Sequence, residues 1–179
     1  MTDVGAVYGN ALYDLAVSEG LGQEILGQLQ VLSESFSREP DFLKLLSAQN
    51  LPKAERCGIL QDSFSGQVHP YVLNFLKILT ERGYVGRFFR CYKAYREQYN
   101  QDNNILPVTA VTAVPLREDQ SARLAEKLQS ITGKHIELIN RIEPACLGGI
   151  RLDYDGKELD DTIAHRLESV RSLLKNTLL

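Results

Sequence analysis

The spacing of apolar positions over about the first 100 residues is that of amphipathic helices. Residues 2–19 repeat apolar side chains every three or four positions, which places them on one helical face. Thr2 or Asp3 is suited to cap the start of this helix, and Gly20 is suited to end it. Further helical segments follow, separated by short stretches rich in Gly, Pro and Ser. The pattern predicts a compact antiparallel bundle of six helices.

Two of these helices differ from the rest. The fifth begins near Val68 and is apolar on most sides, so we expect it either at the centre of the bundle or against a partner. The first is rich in small residues, and another helix could therefore approach it closely. The small residues are Gly5, Ala6, Gly9, Ala11 and Ala16.

The hydrophobic period changes after residue 104. Residues 105–114 alternate in a β-branched run that predicts a strand, residues 118–131 predict a helix, and a second alternating run leads into residue 142. The polar, turn-rich residues 100–104 predict a boundary between domains at 1–104 and 105–179. A last helix is predicted from Thr162 to about Asn176.

The stretch Arg141–Asp161 predicts short strands separated by tight turns. A two-residue turn would place Leu159 opposite Leu152. The predicted turn residues are Pro144, Gly148, Gly149, Asp155 and Gly156. The predicted class is therefore α+β: an N-terminal six-helix bundle followed by a small α/β C-terminal domain with a short sheet and two helices.

The composition of the chain argues against several classes of function. A net charge of -3, with 44% hydrophobic and 24% charged residues, is typical of a globular protein and argues against binding nucleic acid by charge alone. No run approaches the ~20 apolar residues of a membrane span, so we expect any membrane association to be peripheral. Three widely separated cysteines favour buried thiols in a reducing compartment over disulfides or a zinc site.

Motifs for catalysis, cofactors or metals are weak. Gly133-Lys134 and Gly156-Lys157 lack the remaining residues of a phosphate-binding loop. The acidic residues of 153–161 lack the frame of a calcium loop, and we expect them to be solvated. The histidines have neither a cysteine nor another histidine at metal-binding spacing. We therefore predict no catalytic residue, no cofactor and no metal.

Basic and aromatic residues alternate between Arg82 and Tyr99, as in some nucleic-acid surfaces. The basic residues recur every three positions and drift around the helix. The aromatic residues share one face, which is more often core. We therefore expect no nucleic-acid partner. The aromatic face consists of Phe88, Tyr92, Tyr95 and Tyr99.

Four stretches, in order along the chain, resemble one known family. Residues 8–16 read Y-G-N-A-L-Y-D-L-A, close to the family's Y-A-x-A-L-F-x-x-A with Gly9 in place of alanine. Residues 74–79 read N-F-L-K-I-L and resemble the start of its N-F-L-x-L-L-x-x-x-R, with Arg82 one position earlier than the arginine of that pattern. Residues 113–120 resemble A-x-P-L-x-x-x-Q. The fourth stretch is Gly133-Lys134, then 142–150, Asp155-Gly156 and Asp160.

On these motifs the chain resembles the delta subunits of bacterial F-type ATP synthases, the oligomycin-sensitivity-conferring protein family. The resemblance implies a non-catalytic, peripheral stator subunit on the cytoplasmic face of the bacterial cell membrane. It further implies that a groove between the first and fifth helices receives the N-terminal helix of an alpha subunit. The C-terminal domain would hold the b subunits of the peripheral stalk, so that ion-driven rotation is coupled to ATP synthesis.

Candidate contacts follow from this resemblance. For the alpha helix they are Tyr8, Ala11, Leu12, Leu15, Val72, Phe75, Leu76 and Leu79, and for the b stalk they are Leu167, Val170 and Leu174. Each groove residue has an alternative role in the core of the bundle. Two other functions remain open at this point. A helical adaptor unrelated to ATP synthase would not associate with alpha or b subunits, and a small enzyme would have perturbed polar groups clustered in a pocket.

Overall fold

A computed structural model describes residues 3–48, 50–165 and 167. The chain divides into two compact units, Met1–Tyr99 and Asn100–Leu179. Helices form the first unit, and a four-stranded sheet forms the centre of the second. The predicted α+β class, with a helical N-terminal part and a sheet-containing C-terminal part, is confirmed. The helices in the described residues lack an apolar stretch of the length needed to cross a membrane.

The helices of the first part follow the predicted order. They are α1 (Val4–Ser18), α2 (Gly22–Arg38), α3 (Pro40–Ser47), α4 (Lys53–Phe64), α5 (Pro70–Glu81) and α6 (Phe88–Asp102), with a 3-10 turn at Val85–Arg87 before α6. The Asp3 side chain accepts a hydrogen bond from the Gly5 amide and caps α1 as predicted. Pro40 begins α3, since proline is favourable in a first helical turn.

The helices enclose a single apolar cluster to which α1–α6 all contribute. Aromatic rings occupy its centre: Phe36 packs edge-on against Phe88 with ring centroids 5.0 Å apart. The Tyr95 ring is fully buried and its hydroxyl donates to the Gly22 carbonyl at 2.9 Å. The hydroxyl of this central side chain is therefore satisfied, as burial of a polar group requires.

Close packing between α1 and α6 depends on two glycines of α1. A Cβ added at Gly5 would lie 2.6 Å from the Cβ of Arg90, and one added at Gly9 would overlap the Cys91 carbonyl oxygen. Only residues without a side chain allow this approach. The close helix neighbour that the small residues of α1 predict is thus, at Gly5 and Gly9, α6 of the same chain.

The sheet of the second part has the strand order β2-β1-β3-β4. Its elements are β1 (Ile105–Thr112), α7 (Glu118–Thr132), β2 (His135–Ile142), β3 (Ile150–Tyr154) and β4 (Lys157–Asp160). Strand β1 pairs with β2 in parallel and with β3 in antiparallel fashion. The β3–β4 register places Leu152 opposite Leu159, as the two-residue turn predicts.

Helix α7 packs on one face of this sheet. Leu124 and Leu128 of α7 contact the buried side chains of Leu106, Val108 and Ala110, which point to the same face of β1. The helix begins at a capping arrangement in which the Gln120 side chain accepts the Arg117 amide at 3.0 Å. It ends at Gly133, whose φ of 68° is left-handed.

The predicted turn residues occupy the connections around β3. Pro144 begins a 3-10 turn that ends at Cys146. Gly149, at φ 79°, has no space for a side chain, because an added Cβ would lie 2.5 Å from the Asp161 carbonyl oxygen. Asp155 and Gly156, at φ 48° and 72°, form the two-residue turn between β3 and β4.

Candidate partner-binding surfaces

The eight predicted groove residues divide sharply by exposure. Five of them are buried in the bundle's own core: Leu12, Val72, Phe75, Leu76 and Leu79. Tyr8 is half-buried and packs against that core. Ala11 and Leu15 are exposed, with Leu15 at 41%. In the free chain, the accessible members of the set therefore all lie on α1.

The apolar excess of α5 is covered within the bundle. Its Val72, Leu76 and Leu79 side chains are fully buried among the other helices. Its exposed positions include Asn74 and Ile78, which are four residues apart and share a helical face. Sequence reasoning did not select these two. The i, i+4 spacing could have identified them if the buried stripe of α5 had first been assigned.

An exposed apolar stripe runs along α1. Val7, Ala11 and Leu15 follow one another at intervals of four residues, so they line one helical face. Next to this α1 stripe, the Tyr8 ring contacts the Tyr84 ring with centroids 6.0 Å apart. Tyr84 follows closely after the end of α5 at Glu81, so the start of α1 lies beside the end of α5.

The predicted stalk residues lie at the end of the chain. Leu167 is helical and 59% exposed, whereas Val170 and Leu174 lie outside the described residues. The start of this last helix is anchored by polar contacts. The Thr162 hydroxyl accepts the His165 amide at 3.2 Å, and the Asp160 carboxylate accepts the Thr162 amide at 2.8 Å. These bonds from Thr162 hold the pKa of Asp160 below its usual range.

The acidic residues around β3 are not all solvated as predicted, because the Asp160 side chain is 19% exposed and the Asp153 side chain is 35% exposed. The Asp153 carboxylate lies 3.3 Å from the Arg151 guanidinium and 3.9 Å from that of Arg141. Glu143 lies 3.5 Å from Arg151 and 3.6 Å from Arg141. The register of β2 and β3 on either side of β1 brings these four charges together on one face.

The cleft beside Cys146 is the candidate for the polar pocket that a small enzyme would have. It has a volume of about 190 Å³ and its polar lining includes Glu143, Cys146, Arg151, Asp160, Thr162 and His165. The Asp160 carboxylate is bonded to the Thr162 amide, and Glu143 is paired with Arg151. Both carboxylates thus fix local structure. Among the described residues, groups of three or more metal-binding side chains are absent.

The cysteines differ in burial. Cys91 and Cys146 are buried, as predicted, while Cys57 is only half-buried. Burial raises the pKa of Cys91 to about 11, so its thiol stays protonated near neutral pH. Burial, followed by the nearby Glu81 carboxylate, raises the pKa of Cys57. Neither thiol therefore has the lowered pKa of a reactive nucleophile.

The four residues of the predicted aromatic face of α6 pack against the core, whereas Phe89 is exposed. Phe88 and Tyr95 are fully buried, and Tyr92 and Tyr99 pack against the same cluster. Their rings are therefore not presented for stacking on nucleic-acid bases.

Comparison with known proteins assigns the chain to a family. Residues 4–174 match the family described as ATP synthase delta (OSCP) subunit. The chain is 30% identical over 173 residues to the ATP synthase subunit delta of Moorella thermoacetica, with 97% of each chain covered. It is 31% identical over 169 residues to the subunit of the same name from Gloeobacter violaceus, with 91% of this chain and 89% of that one covered.

A solved structure shares the fold. A chain in the cryo-EM structure of the Toxoplasma gondii mitochondrial ATP synthase hexamer superposes with a TM-score of 0.75 at 19% identity, covering 97% of this chain and 98% of that chain. The sequence matches and this fold extend over nearly the whole chain rather than over one unit. The chain therefore belongs to the ATP synthase delta (OSCP) subunit family.

Proposed function

We propose that the chain is a non-catalytic stator subunit of a rotary F-type ATP synthase. It links the alpha subunits of the catalytic head to the b subunits of the peripheral stalk, so that ion-driven rotation is coupled to ATP synthesis. Its place is peripheral, at the cytoplasmic face of the bacterial cell membrane. The observation that carries this proposal is the family match over residues 4–174, which includes both units.

A stator must resist torque while the rotor turns, so its contacts must be tight and slow to release. An apolar side chain that becomes fully buried on binding contributes roughly 1.5–3 kcal/mol. Nanomolar affinity corresponds to about 12 kcal/mol, and ordering costs must be offset in addition. Several apolar anchors on each side of a helix-in-groove contact are therefore needed.

For the alpha subunit we propose the surface that joins the α1 stripe to α5. Tyr8, Ala11 and Leu15 of α1 are accessible, and Asn74 and Ile78 are exposed positions of α5 that we assign to the same surface. The buried members of the predicted set form the floor that holds these two helices in place. They are Leu12, Val72, Phe75, Leu76 and Leu79.

Replacing Ala11 with Asp tests the alpha contact. Ala11 is exposed in the middle of α1, so the charge can be solvated in the free bundle but would be buried without a partner under a docked helix. We expect affinity for a synthetic alpha N-terminal peptide, measured by calorimetry, to fall at least about tenfold.

The matched control is Ala54→Asp, the same substitution at an exposed position in the first turn of α4. It should leave peptide affinity unchanged. Circular dichroism would verify that both variants are folded. Equal affinity of the Ala11→Asp variant and the unmodified chain would refute the proposed surface.

For the b subunits we propose the last helix, with Leu167 as its accessible anchor in the described part of the chain and Val170 and Leu174 as further contacts. Leu167→Asp should weaken binding of a soluble b fragment by about tenfold, because an exposed apolar anchor is lost and a charge is desolvated. Ile131→Asp, at an exposed apolar position of α7, is the control. If both variants bind the fragment equally well, the last helix is not the contact.

A further inference from the structure

In the part of the chain that the structure describes, strand β2 lies at an edge of the sheet. Among the residues that the structure describes, it pairs with β1 alone. The amides of His135 and Glu143, at the two ends of this segment, donate to β1-side carbonyls at 2.9 and 2.8 Å. Because successive residues of a strand direct their backbone groups to opposite sides, the even-numbered residues of β2 direct theirs away from β1. These are Ile136, Leu138, Asn140 and Ile142.

This edge is long and contains no proline, although Glu137 and Arg141 place one acidic and one basic side chain on it. Strand β2 extends over 8 residues, and its side chains are exposed or half-exposed throughout. Edge strands of soluble proteins are usually shortened, bulged or covered, since an open edge is a template for another strand. The side chains on the face opposite α7 include Glu137, Ile139 and Arg141, and Ile139 is 47% exposed.

We propose that the free chain forms a two-fold symmetric dimer through antiparallel pairing of β2 with β2 of a second copy, with Ile139 on the two-fold axis. In this register Glu137 of each copy lies opposite Arg141 of the other. Ile136 lies opposite Ile142, and Leu138 lies opposite Asn140. The contact is isologous, so each pair occurs twice.

In this register, the backbone groups of the paired residues have the orientation that hydrogen bonding between the two strands requires. The pairs Ile136–Ile142 and Leu138–Asn140 join residues whose backbone groups both point outward from β1, so each pair can exchange two hydrogen bonds. Shifting the register by one residue would place an outward-facing residue opposite an inward-facing one and remove these bonds. Shifting by two toward residue 143 would place Glu137 opposite Glu143, which repel one another.

The charges on β2 favour a second copy of this chain as the partner that pairs with this edge. The strand carries one acid and one base at equal distances on either side of Ile139, so it is complementary to itself in antiparallel orientation. Arg141 also lies 3.6 Å from Glu143 and 3.9 Å from Asp153 in its own chain. A guanidinium has five N–H donors, so it can bind these carboxylates and Glu137 of the second copy together.

One strand pair buries little surface compared with the ~1,200 Å² or more of a stable interface, so the dimer is weak and concentration-dependent. It is a property of the free chain and does not rest on the proposed stator function. A chain that dimerises but binds neither alpha nor b subunits, or the reverse, would separate the two proposals.

Charge reversal provides the test, with the full chain studied by sedimentation equilibrium from about 1 to about 500 µM, the range in which weak association is measurable. Glu137→Arg and Arg141→Glu should each weaken dimerisation at least about tenfold, since two like-charged pairs replace two attractive ones. An equimolar mixture of the two variants should recover the original affinity within about threefold. In the mixed dimer every cross-strand pair is again of opposite charge.

Glu126→Arg on the exposed face of α7 makes the same charge change away from β2 and should leave dimerisation unaltered. Circular dichroism would establish that each variant is folded, because Arg141 also has partners in its own chain. In the unmodified chain, the amides of Ile136, Leu138, Asn140 and Ile142 should exchange more slowly with solvent as concentration rises. A chain that is monomeric over the whole range, or dimers that tolerate both single reversals, would overturn the proposal.

Discussion

Replacing Gly149 with alanine should destabilise the second unit by about 2–5 kcal/mol. Two costs add at this position. The backbone has φ 79°, where an L side chain costs roughly 1–2 kcal/mol. The new Cβ would also lie 2.5 Å from the Asp161 carbonyl oxygen and 3.0 Å from the Thr162 Cα. These are backbone atoms that cannot rotate away, so overpacking adds about 1–3 kcal/mol.

Gly133→Ala is the matched control in the same unit. Its φ of 68° is similar, but an added Cβ would have no neighbour within 4 Å. We expect it to cost only about 1–2 kcal/mol, the backbone contribution alone. Urea denaturation followed by NMR signals of sheet residues would measure both variants without interference from the first unit. Equal losses of stability for the two variants would show that the clash with residues at the start of the last helix adds nothing to the cost of Gly149→Ala.

Replacing Gly9 with alanine should destabilise the first unit by about 1–3 kcal/mol, even though alanine is the better helix former. The new Cβ would overlap the Cys91 carbonyl oxygen and lie 3.0 Å from the Ala94 Cβ. Helices α1 and α6 would have to move apart, which would loosen the core beneath the α1 stripe. The family pattern has alanine at this position. The substitution therefore also tests whether α1 and α6 of this chain pack too closely to accept that alanine.

The corresponding control is Gly58→Ala in α4, where an added Cβ would have no neighbour within 4 Å. Here the higher helix propensity of alanine should stabilise the first unit by up to about 1 kcal/mol. Both substitutions replace glycine with alanine, but their effects on the stability of the first unit are expected to have opposite signs. Urea denaturation midpoints, measured from the NMR signals of helix residues, would show this difference in stability. Stabilisation by Gly9→Ala would contradict the close contact between α1 and α6.

The helices could be predicted from the sequence because their apolar spacing and end signals are local. Asp3 at the start of α1 and Gly133 at the end of α7 are examples. The pairing of Leu152 with Leu159 could also be predicted, since a two-residue turn determines the register. The sequence patterns did not show which apolar faces the bundle would cover for itself.

Helix α5 illustrates the reason. Its apolar residues on most sides predicted either a central place in the bundle or a partner, and neighbouring helices bury Val72, Phe75 and Leu76 within the chain. Which face of a helix is buried depends on neighbours that are distant in sequence, as the contact between Gly9 of α1 and Cys91 of α6 also illustrates. In the same way, the contact of Asp153 with Arg141 could not be predicted, because the order of strands in the sheet brings these two residues together.

The central position of β1 has a mechanical consequence. The chain enters this strand directly after Asn104, and β1 is hydrogen-bonded along its length to β2 and over much of its length to β3. A force applied at residue 104 along the axis of β1 would act across hydrogen bonds that run between strands on both sides. Those bonds would be loaded together in shear rather than opened one after another. The pairing of β1 on both sides therefore resists a pull along this strand.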